Sequence, residues 1–153
     1  MILLYDGTYD GLLCAIFDAY AKKLLGDVSI MSKTKLSSTP FCEIYEAEND
    51  SGHADRVEKK LKNLGADMTV YQAWLSEEES IEDCILKFIE IALNTGRNPS
   101  DRLYDADVKR VVFAARCVSG EAHRYLQFTR FVKASGPEGE PPIYVADIEP
   151  LYD

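Results

Sequence analysis

Long apolar runs, histidines and closely spaced cysteine pairs are all scarce in this sequence of 153 residues. No apolar run approaches the ~20 residues that a membrane-spanning helix needs, and the short N-terminal segment lacks the basic region of a signal peptide. We therefore expect a cytoplasmic protein with no membrane partner. The only two histidines, His53 and His123, lie far apart, so a histidine-rich metal site is poorly supported.

The cysteines also argue against a metal site. The sequence has no Cys-x-x-Cys pair of the kind found in zinc sites and redox motifs, because its cysteines are Cys14, Cys42, Cys84 and Cys117. Three of them fall in apolar helical patterns, so we expect buried, reduced thiols rather than a disulfide framework. The sequence also lacks the motifs of a phosphate-binding loop, a nucleophile elbow, a zinc-protease helix and an EF-hand loop. No metal and no cofactor is predicted.

Positive charge is scarce overall but concentrated in one segment. The net charge is −9, which taken alone argues against a nucleic-acid binder, because the phosphate backbone attracts positive charge. Residues 97–133 nevertheless carry eight basic and four acidic residues, a net charge of +4 that leaves −13 for the rest of the chain. Such an asymmetry within one domain can mark a surface that faces a partner.

The composition that remains is that of a globular protein. Hydrophobic residues make up 46% and charged residues 28%, close to the values of ordinary soluble domains. A chain of this length buries roughly two-thirds of its unfolded surface. We predict one domain over residues 1–153 of the α+β class, mostly helical, with a small sheet of three or four short strands and one long helix in the C-terminal half.

Residue periodicity gives approximate boundaries for these elements. Apolar alternation and short apolar runs predict strands at residues 1–5, 28–31, 41–47 and 143–148. Helical spacing predicts helices over residues 8–25, 51–64, 66–75, 76–95 and 103–134. Ser51 is the predicted cap of the second helix, and Ser76 with Glu79 forms a capping box for the fourth. The fifth helix contains no proline and a single glycine, Gly120, so we predict that it is continuous.

The long helix carries polar and basic residues at intervals of seven. Lys109, Arg116, His123 and Arg130 follow this spacing, and Gln127 lies beside them. Seven residues are nearly two turns, so the side chains drift by only ~20° per step and form a stripe ~30 Å long. Such a stripe can follow a phosphate backbone, with arginines supplying fork-shaped contacts. A solvated outer face without a partner is the alternative.

Four residues are candidates for catalysis. Glu121 and Arg124 project into the apolar sector of the long helix, where they form either an ion pair that orients the helix or a site in which Glu121 acts as acid or base and Arg124 holds an anion. His123 lies between them. Asp6 follows the first strand at the start of the first helix, a favoured place for ligands, although a tight turn with a helix cap explains it equally. The apolar sector itself contains Phe113, Cys117, Phe128 and Phe131.

Three stretches together carry a family resemblance: YDGTYDGLL at residues 5–13, GEAHRYLQFTRF at 120–131 and YVADIEP at 144–150. In this order they resemble a bacterial domain family of unknown function whose members are assigned to DNA metabolism or DNA repair. The resemblance implies a radical-SAM partner protein and, in other members, fusion to a uracil-DNA glycosylase-like domain. The positions that match the family's motifs are Asp6, Gly7, Gly11, Glu121, His123, Arg124, Phe128, Arg130 and Phe131.

The family's domain continues beyond the third stretch, so the resemblance implies that this chain is shortened at its C-terminus. The leading hypothesis is an accessory module of DNA metabolism or repair that binds DNA, or a repair enzyme, through the long helix. One alternative is an enzyme acting on a base or nucleotide, with Glu121, His123 and Arg124 grouped near Asp6. The other is a protein-interaction module for a radical-SAM protein or a glycosylase-like domain. The residues alone do not decide whether the protein is an enzyme.

Overall fold

A computed structural model describes residues 1–36, 42–134 and 141–151. These residues form an α+β arrangement of five α-helices and five short strands, which confirms the predicted class. The helices are α1 (Tyr9–Ala21), α2 (Ser51–Leu64), α3 (Asp67–Leu75), α4 (Ile81–Thr95) and α5 (Ala106–Phe128). The strands are β1 (Ile2–Tyr5), β2 (Ser29–Ser32), β3 (Ile44–Glu46), β4 (Val132–Ala134) and β5 (Ile143–Val145). A short 3-10 helix, Lys33–Lys35, follows β2.

The first three strands form a parallel sheet in the order β2-β1-β3. Leu3 of the central strand pairs with Ile30 on one side and Tyr45 on the other. Helix α1 makes the crossover from β1 to β2, since parallel neighbours cannot be joined by a tight hairpin. The chain then passes to the opposite side of β1, where β3 pairs with it. Because the three strands are parallel, their carboxyl ends lie at the same edge of the sheet, and this is the edge at which open α/β sheets bind ligands.

The core lies between this sheet and the helices. Leu3 and Tyr5 of β1 are buried with Ile16 of α1 and Ile85 of α4. Burying a side chain of this size stabilises the fold by ~1.5–3 kcal/mol. Helix α5 packs against α3 and α4, and the residues that it buries in its first half are Val108, Val111, Val112, Ala114 and Ala115. The orientation of α5 is therefore fixed by its N-terminal part.

The cap of α2 differs from the prediction. Asp50, rather than Ser51, is the N-cap, and its Oδ1 accepts hydrogen bonds from the amides of Gly52 at 2.7 Å and His53 at 3.1 Å. Both residue types are good caps, but the carboxylate is charged and therefore makes the stronger bonds to the free amides. Ser51, which was predicted to be the cap, is therefore the first residue of the helix.

The start of α4 was also predicted wrongly. Ser76 does not open this helix, because its hydroxyl donates a 2.6 Å hydrogen bond back to the carbonyl of Ala73 at the end of α3. The helix begins at Ile81 after Ser80, whose backbone is left-handed with φ of 57° and whose side chain makes no capping bond. The hydroxyl of Ser76 thus ends one helix instead of starting the next.

The long helix is shorter than predicted, and this is the largest correction. Helix α5 ends at Phe128, and β4 pairs antiparallel with β5 to form a separate two-stranded sheet. Thr129 is the C-cap residue, and its hydroxyl donates to the carbonyl of Tyr125. The β-branched and aromatic residues that follow favour a strand once a partner strand is present. Residues 129–134 are therefore not helical.

The remaining predicted elements are confirmed with shifted ends. Helix α1 ends at Ala21 rather than residue 25, and β3 occupies three of the residues predicted for its strand. Residue 41, the predicted start of that strand, lies outside the described residues. Across the parts of the chain that the structure describes, no helix has the length and apolar character needed to cross a membrane.

The four thiols are free, but only two are buried. Cys14 and Cys84 lie in the core, Cys117 is partly buried and Cys42 is exposed. Burial is therefore confirmed for two of the three cysteines that fall in helical patterns. For Cys84, burial raises the pKa of the thiol to about 11, with a further contribution from its hydrogen bond to Asp107. That thiol stays protonated at neutral pH and is a poor nucleophile.

Candidate functional site

Helix α5 presents its basic residues to solvent. Lys109, Arg116, His123 and Gln127 are all exposed, and we call these four residues the α5 basic face. Within the described ranges, no ion pair involves any of them. Their charges are consequently not neutralised by carboxylates of the protein in the described structure.

Arg130 does not belong to this face. It lies beyond the helix, between the C-cap residue Thr129 and β4, although it is also exposed. On the helix the stripe runs from Lys109 to His123, a rise of ~21 Å at 1.5 Å per residue, instead of the ~30 Å expected of a continuous helix. The early end of α5 shortens the predicted surface.

A groove between α3 and α5 lies along this face. Arg116 and His123 line it from α5, and the polar side chains of Thr69, Gln72 and Ser119 line it with them. Its volume is about 390 Å³, and none of the described residues that line it carries a carboxylate. A guanidinium group, an imidazole and several hydrogen-bonding side chains make a groove suited to an anionic group such as a phosphate.

The imidazole of His123 is positioned by its neighbour one turn along. Its Nε2 lies 2.9 Å from Nε2 of Gln127. When Nε2 carries no proton, the Gln127 amide donates to it, and when Nε2 carries the ring proton, the amide oxygen accepts from it. The two side chains are thus coupled in their hydrogen bonding.

Glu121 is buried on a different side of the helix. It is 5% exposed, and its Oε1 accepts a 2.7 Å hydrogen bond from the amide of Leu151. One turn later, the hydroxyl of Tyr125 donates to the carbonyl of Glu149. These bonds attach the C-terminal segment to α5. Arg124 is exposed and does not share the buried environment of Glu121.

Asp6 organises the turn between β1 and α1. Its Oδ1 accepts hydrogen bonds from the amide of Thr8 at 2.9 Å and the hydroxyl of Thr8 at 2.7 Å, and its Oδ2 accepts one from Asn49 at 2.6 Å. Desolvation acts to raise the pKa of Asp6, but the hydrogen bonds from Thr8 and Asn49 outweigh it and lower that pKa below its ordinary value. Both oxygens are engaged in holding the turn, as the helix-cap explanation expects.

Sequence reasoning missed a buried polar network beside Asp6. Glu82 is 2% exposed, and its Oε1 accepts hydrogen bonds from the Tyr5 hydroxyl at 3.1 Å and from Nζ of Lys35 at 3.0 Å. Nε1 of Trp74 donates to the Tyr5 hydroxyl at 3.2 Å. Burial is the main cause that raises the pKa of Tyr5, so the phenol stays neutral. These residues and Asp6 line a cavity of about 260 Å³ at the carboxyl edge of the sheet.

The predicted catalytic residues occupy different surroundings. Asp6 lines the sheet-edge cavity, whose lining includes none of the other three. His123 lines the α3–α5 groove, Glu121 is covered by the C-terminal segment, and Arg124 is exposed. The geometry therefore groups His123 with Arg116, a candidate for anion binding, rather than with Asp6.

The apolar sector predicted for α5 is also exposed. Phe113, Phe128 and Phe131 are 64%, 72% and 65% exposed, respectively, and Leu126 is 87% exposed. After Ala115, Glu121 is the only residue of α5 that is fully buried in the described structure. Most of the exposed large apolar side chains of the C-terminal half thus lie in the second half of α5, in β4 and β5 and beside these strands, and we call them the exposed apolar surface.

A comparison with known families gives a match over the C-terminal part of the chain. The model of a family described as a domain of unknown function (DUF4130) matches residues 79–153. This range contains α4, α5 and the β4–β5 hairpin, and it supports the resemblance to a domain family of unknown function. No curated protein and no solved structure matches the chain.

Proposed function

We propose that this protein binds nucleic acid through the α5 basic face, as an accessory module in DNA metabolism or repair. The observation that carries the proposal is the α3–α5 groove, which Arg116 and His123 line together and to which no carboxylate contributes among the described residues. Lys109 extends the same exposed face by two helical turns toward the N-terminus of α5. Phosphate groups are the ligands that such a row of cations attracts most strongly.

The charge distribution favours oriented binding. The molecule as a whole is acidic, at −9, while residues 97–133 are basic. A nucleic acid is therefore repelled by most of the surface and attracted at one face, which selects a single docking orientation. Binding of this kind is expected to be modest in affinity and strongly dependent on salt.

The spacing of the face allows an estimate of that dependence. Lys109, Arg116 and His123 are ~10.5 Å apart at 1.5 Å per residue, a step that spans about three nucleotides of one strand at 3.4 Å each. With His neutral, two phosphates are neutralised, by Lys109 and Arg116, which gives a salt slope near −1.8 for duplex DNA. Raising the salt from about 50 to about 200 mM should then weaken binding about 12-fold.

Fluorescence anisotropy with labelled single-stranded and duplex oligonucleotides tests the proposal. The variant Lys109→Glu/Arg116→Glu should lose at least 10-fold in affinity at low salt, because two attractive contacts become repulsive. Lys23→Glu/Lys59→Glu, a double change of the same charge at exposed positions outside the α5 basic face, is the matched control and should have a much smaller effect. An equal loss in both proteins, or no binding by the wild type at low salt, would count against direct contact.

The assignment to DNA metabolism or repair draws on the resemblance of residues 5–13, 120–131 and 144–150. Two of these stretches lie within the range matched by the domain of unknown function. His123, Arg130 and Arg124, which match the family's motifs, are all exposed. Exposure is what a role in binding requires, and it supports the nucleic-acid proposal over a role in the core.

A second candidate function is docking of a partner protein, and the exposed apolar surface favours it. Leu126, Phe131 and Val132 are 87%, 65% and 70% exposed, respectively, and neighbouring exposed apolar side chains commonly mark interaction sites. The resemblance suggests a radical-SAM protein or a uracil-DNA glycosylase-like domain as the partner. A co-purified complex that survives nuclease treatment and is lost in Phe131→Ser/Val132→Ser would support docking. A complex dissolved by nuclease would instead support contact through DNA.

A further inference from the structure

An exposed aromatic ring lies between two residues of the α5 basic face. Phe113 is four residues after Lys109 and three before Arg116, so it neighbours both side chains at one helical turn. The ring is 64% exposed. A single exposed phenylalanine is ordinary on a protein surface, but this one stands between two cations that form no ion pair with another described residue. That position is what indicates a ligand.

The ring of Phe113 is available to a partner from outside the protein. Among the described residues, it takes part in no contact between aromatic rings and has no cation over its face. Arg110, three residues earlier, is turned toward other groups. Its Nη2 donates a 2.8 Å hydrogen bond to the carbonyl of Glu79 and lies 3.8 Å from the carboxylate of Glu78. A planar group can therefore stack on Phe113 without displacing a side chain that is already bound there.

The side of α5 between this ring and the α3–α5 groove is open at Gly120. This residue follows Phe113 by seven positions, nearly two turns, and so lies on the same side of the helix. Among the described residues, nothing beyond the local helix lies within 4 Å of the position that a Cβ at residue 120 would occupy. Gly120 lines the groove together with Arg116 and His123. An extended ligand can therefore pass from the ring into the groove.

A ring among cations favours a single strand of nucleic acid over a duplex. Proteins that bind single strands combine a positively charged surface that follows the phosphates with aromatic side chains on which bases stack. Bases in a duplex are already stacked on one another, and taking one out costs a few kcal/mol. One stacked base strengthens binding by about 5- to 140-fold, equivalent to ~1–3 kcal/mol. That gain is comparable with the about 12-fold that two phosphate contacts lose on duplex DNA between about 50 and about 200 mM salt.

We propose that the α5 basic face binds single-stranded DNA, with one base stacked on Phe113 and phosphates on either side of it held by Lys109 and Arg116. The two cations are ~10.5 Å apart along the helix, about three nucleotides of one strand at 3.4 Å each, and the ring lies between them. The inference rests on the proposed nucleic-acid binding and specifies its ligand. Stacking of this kind accepts every base, so no sequence preference is expected.

Fluorescence anisotropy at low salt with three labelled ligands tests the proposal on the full chain. The ligands are a single strand of about ten nucleotides, a strand of the same length in which every residue is abasic, and the duplex of the first strand. The abasic strand keeps the phosphates and removes the bases, so it isolates the stacking contact. The wild type should bind the base-bearing strand at least 5-fold more tightly than the abasic strand, and more tightly than the duplex.

Variants at Phe113 show whether the aromatic face is responsible. Phe113→Leu keeps an apolar side chain but removes the ring, so it should weaken binding of the base-bearing strand at least 5-fold and leave the affinities for the abasic strand and the duplex unchanged. Phe113→Tyr keeps the ring and should bind as the wild type does. Phe131→Leu is the matched control at a phenylalanine of similar exposure, 65%, outside α5, and it should have no effect.

Three results would overturn the proposal: an unchanged affinity of Phe113→Leu for the base-bearing strand, an equal loss on the abasic strand, or duplex binding as tight as binding of the single strand. If Lys109→Glu/Arg116→Glu still weakens binding in any of these cases, phosphate contact through the α5 basic face stands and the stacking inference alone fails. A wild type that binds none of the three ligands would remove both proposals.

Discussion

The backbone of Gly11 lies directly against the carboxylate of Asp6: a Cβ at residue 11 would be 2.1 Å from Asp6 Oδ1. Gly11→Ala must therefore displace the carboxylate from its bonds to Thr8 and Asn49. Alanine normally stabilises a helix interior by ~1 kcal/mol over glycine, but lost bonds to a charged group cost more, and we expect a net loss of about 1–2 kcal/mol. Urea unfolding measures this change.

The same substitution in an Asp6→Ala background is the control. With the carboxylate gone, alanine at residue 11 should be neutral or stabilising, so the two changes are not additive. A Gly11→Ala cost that is equal in both backgrounds would show that the contact with Asp6 is unimportant.

The cap of α2 provides a second prediction. Asp50→Ala should lower the melting temperature at pH 7, whereas Ser51→Ala should leave it nearly unchanged, because only the Asp50 side chain caps the helix. Hydrogen bonds from the amides of His53 and Gly52 lower the pKa of Asp50. The stabilisation is therefore present above the unfolded pKa of ~3.9 and is lost as the pH falls through the lower folded value. Thermal melts of Asp50→Ala and the wild type should converge in acid.

Much of the fold could be predicted because its signals are local. The short apolar run in residues 1–5 predicts β1, the spacing of Ile81, Ile85, Phe88 and Ile89 predicts α4, and both elements are present. The cap of α2 was missed because two adjacent residues are both good caps. The end of α5 was missed because β4 depends on β5, which lies about ten residues further along the chain. Strand pairing is not visible in a local pattern.

The candidate site was predictable only in part, for the same reason. Seven-residue spacing correctly placed Lys109, Arg116 and His123 on one exposed face of the helix. The hydrogen bond between Tyr5 and Glu82 joins residues 77 positions apart. An acidic residue in the first turn of a helix is common for reasons of the helix dipole alone, so nothing in the sequence distinguishes Glu82 as a buried partner.

Tyr20 gives a prediction at alkaline pH. Its folded pKa of about 12 exceeds the ordinary tyrosine value of ~10. Because the ionised phenol is disfavoured in the folded protein, the contribution of Tyr20 to stability is complete below pH ~10 and is lost as the pH rises through its folded pKa. The wild type should lose stability over this window relative to Tyr20→Phe, as measured by denaturant unfolding. Parallel pH profiles of the two proteins would contradict the buried position of this hydroxyl.

The exposure of Phe113 gives a prediction on stability. Phe113→Ser should change the free energy of unfolding by no more than ~0.5 kcal/mol, because the side chain is 64% exposed. Phe88→Ala, at a fully buried position in α4, should cost ~3–5 kcal/mol. A large loss in the Phe113 variant would indicate that this side chain is covered in solution, and that the exposed apolar surface is smaller than described.

The salt dependence of DNA binding by Arg116→Gln tests the central claim most directly. Removing one phosphate contact should weaken binding to all sequences and reduce the slope of log affinity against log salt by about 1, while Lys59→Gln should leave the slope unchanged. An Arg116→Gln slope equal to that of the wild type would show that the α5 basic face does not contact the phosphate backbone.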